Sequence, residues 1–415
     1  MSLLLRNARL ADGHVVDIEI ANGAISAITD VDANLLPGTE DGERHDLKGR
    51  LLLPATAEPH AHLDKALTVE SVPNPKGDLL GAIQAWMHAA KMGMFTHDDT
   101  VRRATAAMDL LVSHGTTAVR THANVSEAIG ARSVIALREA AARFEGVLDV
   151  QIVALTSVPM TGPEGAANRK ALDEAVEAGA DLIGGCPSLD PDGAGLIRHA
   201  LAVASDAGLG VDLHVDETLD PSVLMLRELA QQVMASGFDG LVAAGHCVTL
   251  GMQSPEVQAA VSAEVAEAGI AVFALPQTNL FLQGRDDPTA TPRGITAVSA
   301  LQAAGVLVAA GADNVQDPFN LIGRSDALET AGLMVMAGHQ SPEASFEMVS
   351  NNARIAMGLA PVNFEVGDPA DFLAIDAPSV RGAIADASMS RVVYRAGRVV
   401  ARSEQTSAVY RGADS

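Results

Sequence analysis

Two histidines one residue apart, His60 and His62, follow the apolar run Leu51-Leu52-Leu53-Pro54 and its continuation Ala55-Thr56-Ala57-Glu58-Pro59. On an extended chain, residues i and i+2 project to the same face, so the two imidazoles would converge on one point, as a metal ion requires. Alone, such a pair equally fits two polar residues at a strand exit. Groups of related chemistry recur further along, each after a short apolar run. Val211-Asp212-Leu213-His214-Val215-Asp216-Glu217 brings a histidine and carboxylates, Leu241–Ala244 leads to Gly245-His246-Cys247, and Val308-Ala309-Ala310-Gly311-Ala312 leads to Asp313. Separately, His214 could be a satisfied core histidine, His246 a helix-capping group and Asp313 an N-cap. Gathered on one face of one fold, they make a set able to hold a metal and move protons.

The elements that must position them alternate regularly. Strand-like segments at the 51–60 run, Thr117–Thr121, Val150–Leu155, Asp181–Ile183, Val211–Val215, Leu241–Ala244, Ile270–Leu275 and Val306–Ala310 are separated mostly by alanine-rich helical stretches, such as Ser126–Phe144 and Ala194–Ala207. Eight strand–helix units predict an α/β fold, a (β/α)8 TIM barrel, whose chemistry gathers where the strands end. An open doubly wound sheet is the competing reading, but no glycine-rich phosphate loop follows the first strand. Residues 1–50 and 360–415 have a different texture, with short strands and turns at Asn22-Gly23 and Ala396-Gly397. They predict a small β-sandwich built from both chain ends, flanking a barrel of residues 51–359.

Composition narrows the function. Lysine and arginine number 28 against 52 acidic residues, a formal charge of −24. Such a surface repels nucleic-acid backbones and anionic membranes. No apolar run is long enough for a signal peptide core or a membrane span. Cys186 and Cys247 alone offer no disulfide framework, so a cytoplasmic location is expected. A homo-oligomer is compatible with all of this.

The motifs Glu58-Pro59-His60-Ala61-His62-Leu63-Asp64-Lys65, Arg120-Thr121-His122, His214-Val215-Asp216-Glu217, Gly245-His246, Leu282-Gln283-Gly284-Arg285, Arg293-Gly294-Ile295-Thr296 and Asp313-Asn314-Val315-Gln316-Asp317-Pro318 resemble, in order, those of the amidohydrolase superfamily, specifically the cytosine deaminase family. The resemblance implies one divalent metal ion, zinc or iron, held by His60, His62, His214 and Asp313. Three imidazoles and a carboxylate are independently a donor set for such a borderline metal. His122 would stand beside the ligands rather than among them. The strand-four end, Gly184-Gly185-Cys186, lacks the lysine of binuclear relatives, so one metal is expected.

The implied reaction is hydrolytic deamination of an amino-substituted N-heterocycle, a cleavage of a C–N bond in a cyclic amidine. Asp313 would take a proton from the attacking water, Glu217 would protonate the ring nitrogen, and His246 would steady the tetrahedral intermediate. The sequence departs from the family where substrate is gripped. Thr156-Ser157 replaces a glutamine clamp, Asn314 replaces an aspartate, and Phe319 replaces a tryptophan wall. These departures predict a roomier pocket, suited to a pterin, isocytosine, creatinine or amino-triazine rather than cytosine. Gln283 could read the substrate's amide edge, or merely brace a loop. Hydrolysis of a cyclic amide, or loss of an alkylamine, is the competing activity for the same metal.

Overall fold

The computed structural model describes residues 2–31 and 43–410. Two eight-stranded sheets organise them. The parallel one runs in sequence order through β6 (Thr56–Ala61), β7 (Thr116–Val125), β8 (Asp149–Thr156), β9 (Leu182–Gly184), β10 (Gly210–Val215), β11 (Val242–His246), β12 (Ala271–Ala274) and β13 (Val308–Ala310). A parallel bridge between Ala61 and Asp313 brings its last strand back to its first, so the barrel is nearly closed. Helices connect the strands on the outside, as right-handed crossovers require. The interior is aliphatic and tight: Ala57, Ala118, Ala243, Ala271 and Ala309 surround Phe273. One charged pair interrupts it, Arg120 and Asp212, 2.9 Å apart and fully buried.

The second sheet is mixed and comes from both chain ends. Its strands are β1 (Ser2–Arg9), β2 (Val15–Ala21), β3 (Ala24–Asp30), β4 (Glu43–Asp46), β5 (Leu51–Pro54), β14 (Phe372–Ile375), β15 (Arg391–Arg395) and β16 (Arg398–Ser403). Leu5, Ile18 and Ile25 share one core with Phe372, Val392 and Tyr394. Hydrogen bonding joins all eight strands into a single sheet, whose Leu51, Leu53, Leu373 and Val393 pack instead with the barrel's core. The expected turns form: Asn22-Gly23 and Ala396-Gly397 adopt paired positive φ values (54° and 82°; 49° and 74°), the geometry that matches strand twist in two-residue hairpins.

One expectation needs correcting. The run Leu51–Pro54 does not open the barrel. It pairs antiparallel with β14, Leu53 opposite Leu373, and the first barrel strand starts only at Thr56. Both segments are wholly buried, so hydrophobicity could not separate them. Ala55 alone turns the chain from one sheet into the other. Among the described residues, no helix is long and apolar enough to cross a membrane.

Candidate metal centre and cavity

The barrel seam is also where the chemistry converges. Glu58 stitches it: one carboxylate oxygen accepts from the His60 amide (3.1 Å) and the other from the Ala312 amide (2.9 Å), while the Asp313 amide donates to the His60 carbonyl (3.1 Å). His60, His62 and Asp313 are thereby fixed to one another through their backbone and the Glu58 carboxyl. Beyond His62, the Leu63 amide donates to Thr121 Oγ1 and Asp64 accepts from the Asn124 amide, tying this turn to β7. His246 (φ 69°) and Asp313 (φ 64°) hold left-handed backbone conformations that point their side chains inward. Non-glycine residues keep such angles only where the surroundings over-determine them.

The side chains close on a point. His214 Nε2 lies 3.2 Å from His60 Nε2 and 3.1 Å from His62 Nε2, and Asp313 Oδ1 lies 3.2 Å from His62 Nε2 and 3.8 Å from His60 Nε2. All four side chains are nearly or fully buried. Burial pushes His60 and His214 well below the usual histidine range, and His62 below it to a lesser degree, so all three are neutral. Burial works against the Asp313 carboxylate, but the hydrogen bond from His62 and the nearby Lys65 ammonium outweigh it and hold the carboxyl below the usual carboxylate range.

Three neutral imidazole nitrogens facing one another cannot satisfy one another by hydrogen bonding alone. A divalent ion answers all of them: tetrahedral ligands at about 2.0–2.1 Å have edges of roughly 3.3–3.4 Å, close to the spacings here. The set fits a metal.

His246 and Glu217 stand beside it. His246 Nδ1 is 3.0 Å from Asn279 Oδ1, a contact that orients the ring so that Nε2 faces Glu217 Oε2 at 3.6 Å and Asp313 Oδ2 at 4.0 Å. Burial pushes the Glu217 carboxyl up to about 7. Its neighbour Asp216 has a different job, accepting from the amides of Met225 and Leu226 at the start of the helix Met225–Ser236. His122 lies under His60, its ring centroid 4.1 Å away, with Nε2 3.6 Å from Asp212 Oδ1. A second buried trio of His60, His122 and Asp212 therefore backs the first.

The centre opens into a cavity of about 420 Å³ lined by His62, His214, Glu217, His246 and Asp313 together with Thr156, Asn314 and Phe319. Thr156 spends its hydroxyl on the Gly184 carbonyl (2.9 Å), and Asn314 donates to Asp317 (2.7 Å). Gln283 is not part of the lining; its amide donates to the Glu217 carbonyl at 3.1 Å, the loop-bracing alternative. Trp86 and Lys65 are among the lining residues that the sequence did not single out. Trp86, on α1 (Leu79–Lys91), supplies an aromatic wall of its own and stacks on Phe95 at 3.9 Å between centroids. Lys65 Nζ sits 3.2 Å from His62 Nδ1 and 4.6 Å from the Phe319 ring centroid. Lys65 was visible only as the tail of its motif, and Trp86 only as the apolar side of a helix.

A model of the amidohydrolase family matches residues 87–401. The chain belongs to the amidohydrolase family. Pterin deaminase from Rhizobium rhizogenes is 32% identical over 394 residues, covering 93% of this chain and 88% of that protein. Among solved structures, 5-methylcytosine deaminase from Klebsiella pneumoniae liganded with 5-fluorocytosine superimposes with TM-score 0.87 at 27% identity, covering 99% of both chains. N-isopropylammelide isopropylaminohydrolase from Burkholderia multivorans does so with TM-score 0.81 at 27% identity, covering 97% of this chain and 99% of that one.

Proposed function

We propose that this amidohydrolase is a mononuclear metal-dependent deaminase that releases ammonia from an amino-substituted N-heterocycle, with a pterin the first candidate. The observation that carries it is the Glu217–His246 pair, 3.6 Å apart, beside a three-imidazole, one-carboxylate cluster at the floor of a cavity. A site that only held a metal would need no buried carboxyl poised near neutrality. The deaminases of pterin and 5-methylcytosine among its relatives support the same reaction.

In this reading His60, His62, His214 and Asp313 hold one zinc or iron ion. Bound there, the ion lowers the pKa of a water and stabilises negative charge during attack. Asp313 takes the proton that water gives up as its oxygen bonds to the ring carbon bearing the amino group. Glu217 donates its proton to the adjacent ring nitrogen, so charge does not build up on the ring. His246, its ring oriented by Asn279, stands beside Glu217 and Asp313 and steadies the oxygen of the intermediate. Transfer of a proton to the amino group then lets ammonia leave. Lys65, which lines the cavity beside His62 and Phe319, suits a carbonyl oxygen, which pterins and isocytosine carry.

The test is kcat/KM for cytosine, isocytosine, creatinine and pterin on one metal-loaded preparation, followed by ammonia release. Pterin turnover well above cytosine supports the reading; cytosine clearly in front refutes the size argument from Phe319 and Thr156. Loss of an alkylamine is the second reading, favoured by the likeness to the isopropylaminohydrolase. Release of isopropylamine from N-isopropylammelide, with no ammonia from any ring, would establish it instead.

A further inference from the structure

The cavity extends well beyond the space around the metal centre, and its outer part has a distinct chemistry. At its floor the lining is buried, with His62 and Asp313 3% and 1% exposed; at its mouth Met87 and Leu189 are 63% and 41% exposed. The mouth is apolar on more than one side: Ile83 and Met87 come from α1, and Ile129, Val158 and Leu189 from the segments that follow β7, β8 and β9. Exposed apolar side chains that face a cavity leave surface a ligand can cover.

The charged groups among the lining residues of this outer part are Glu127 and Glu164, both exposed acids. No arginine lines the cavity among the described residues. The one lysine, Lys65, is buried at the floor between Trp86 and Phe319 and cannot serve a group at the mouth. The whole chain, at −24, adds to the same field.

Resting on the deaminase reading above, we propose that the natural substrate is an amino-heterocycle carrying an uncharged apolar substituent on the edge away from its amino group. The substituent lies against Ile83, Met87 and Leu189, and an anionic one is turned away by Glu127 and Glu164. Such a substituent gains roughly fourfold in kcat/KM for each methylene it buries. Two rim carboxylates acting on a carboxylate substituent cost it roughly tenfold or more, and less at high salt.

The experiment takes the ring that releases ammonia fastest and compares its methyl, n-propyl, aminomethyl and carboxyl derivatives; for a pterin these are the 6-substituted compounds. Expected are propyl above methyl, carboxyl at least tenfold below methyl, and recovery of the carboxyl compound relative to the methyl one in Glu127→Gln/Glu164→Gln. Met87→Gln should lower kcat/KM for the propyl compound more than for the methyl compound and so erase most of the propyl advantage. A carboxyl derivative equal to or better than methyl, or an aminomethyl derivative ahead of propyl, overturns this inference while leaving deamination standing. No ammonia from any ring overturns the deaminase reading and this inference with it.

Discussion

Gly245 precedes His246 on β11, and its lack of a side chain makes room for His60. A Cβ built there would fall 2.8 Å from His60 Cε1 and 3.0 Å from Nδ1, whereas ordinary contact begins at 3.4 Å. In Gly245→Ala the His60 ring must therefore move by 3.4 − 2.8 = 0.6 Å or more. The ring has nowhere to go: it is fully buried, with His122 packed 4.1 Å away, centroid to centroid. Metal–ligand distances tolerate about ±0.2 Å, so a shift three times larger takes His60 out of the ligand set. Metal affinity should fall about 10–100-fold, as when a ligand loses its support, and turnover about 100-fold. Overpacking itself should cost only about 1–3 kcal/mol of stability. The assay is metal retained against a graded chelator, with kcat/KM and a thermal melt on the same sample. Gly332→Ala is the control. It lies within the helix Ala327–Met336, where its Cβ would meet Ile384 at an ordinary 3.6 Å, so metal and rate should be unchanged and stability should rise by about 0.5–1 kcal/mol. A folded Gly245→Ala protein with wild-type metal affinity and turnover would refute the placement of His60 in the ligand set.

Glu217→Gln should keep its metal and lose about 10²–10⁴-fold in kcat; near-normal turnover would make Glu217 a structural carboxyl. Burial raises the Glu217 carboxyl to about 7, so the acid form is present below that pH and lost above it. The rate should therefore fall as pH rises through about 7, and a profile flat to pH 9 would count against Glu217 as the acid. Chelation should abolish activity while circular dichroism changes little, because the core is aliphatic and independent of the ion; global unfolding would point to a structural metal instead.

Much of this was legible in the sequence because strand ends carry their chemistry next to their hydrophobicity. His60, His62, His214, His246 and Asp313 each follow an apolar run, and the barrel brings those ends together. What stayed hidden depends on distant partners. Leu51–Leu53 looks like the start of the first barrel strand until Leu373 is seen to pair with Leu53. Asn279 and Gln283 are amides on or just past one short helix, yet only the fold turns Asn279 onto His246 and Gln283 onto a backbone carbonyl. Phe319 read as a reduced wall because nothing local says that α1 lays Trp86 over the same cavity. The Arg120–Asp212 pair spans two strands whose relation only the closed barrel defines.

The pairing of β5 with β14 also sets a timetable for biosynthesis. At roughly 5–20 residues per second, tens of seconds separate the emergence of Leu53 from that of Leu373. Throughout that interval every proposed catalytic residue is made while Leu51–Pro54 remains an open apolar edge beside β1, the kind of edge that recruits foreign strands. The sheet on which the barrel stands is finished last, by a strand lying well past the chemistry. Nascent chains of this protein thus have every proposed metal ligand synthesised, once Asp313 has emerged, while the foundation of the site is still sticky.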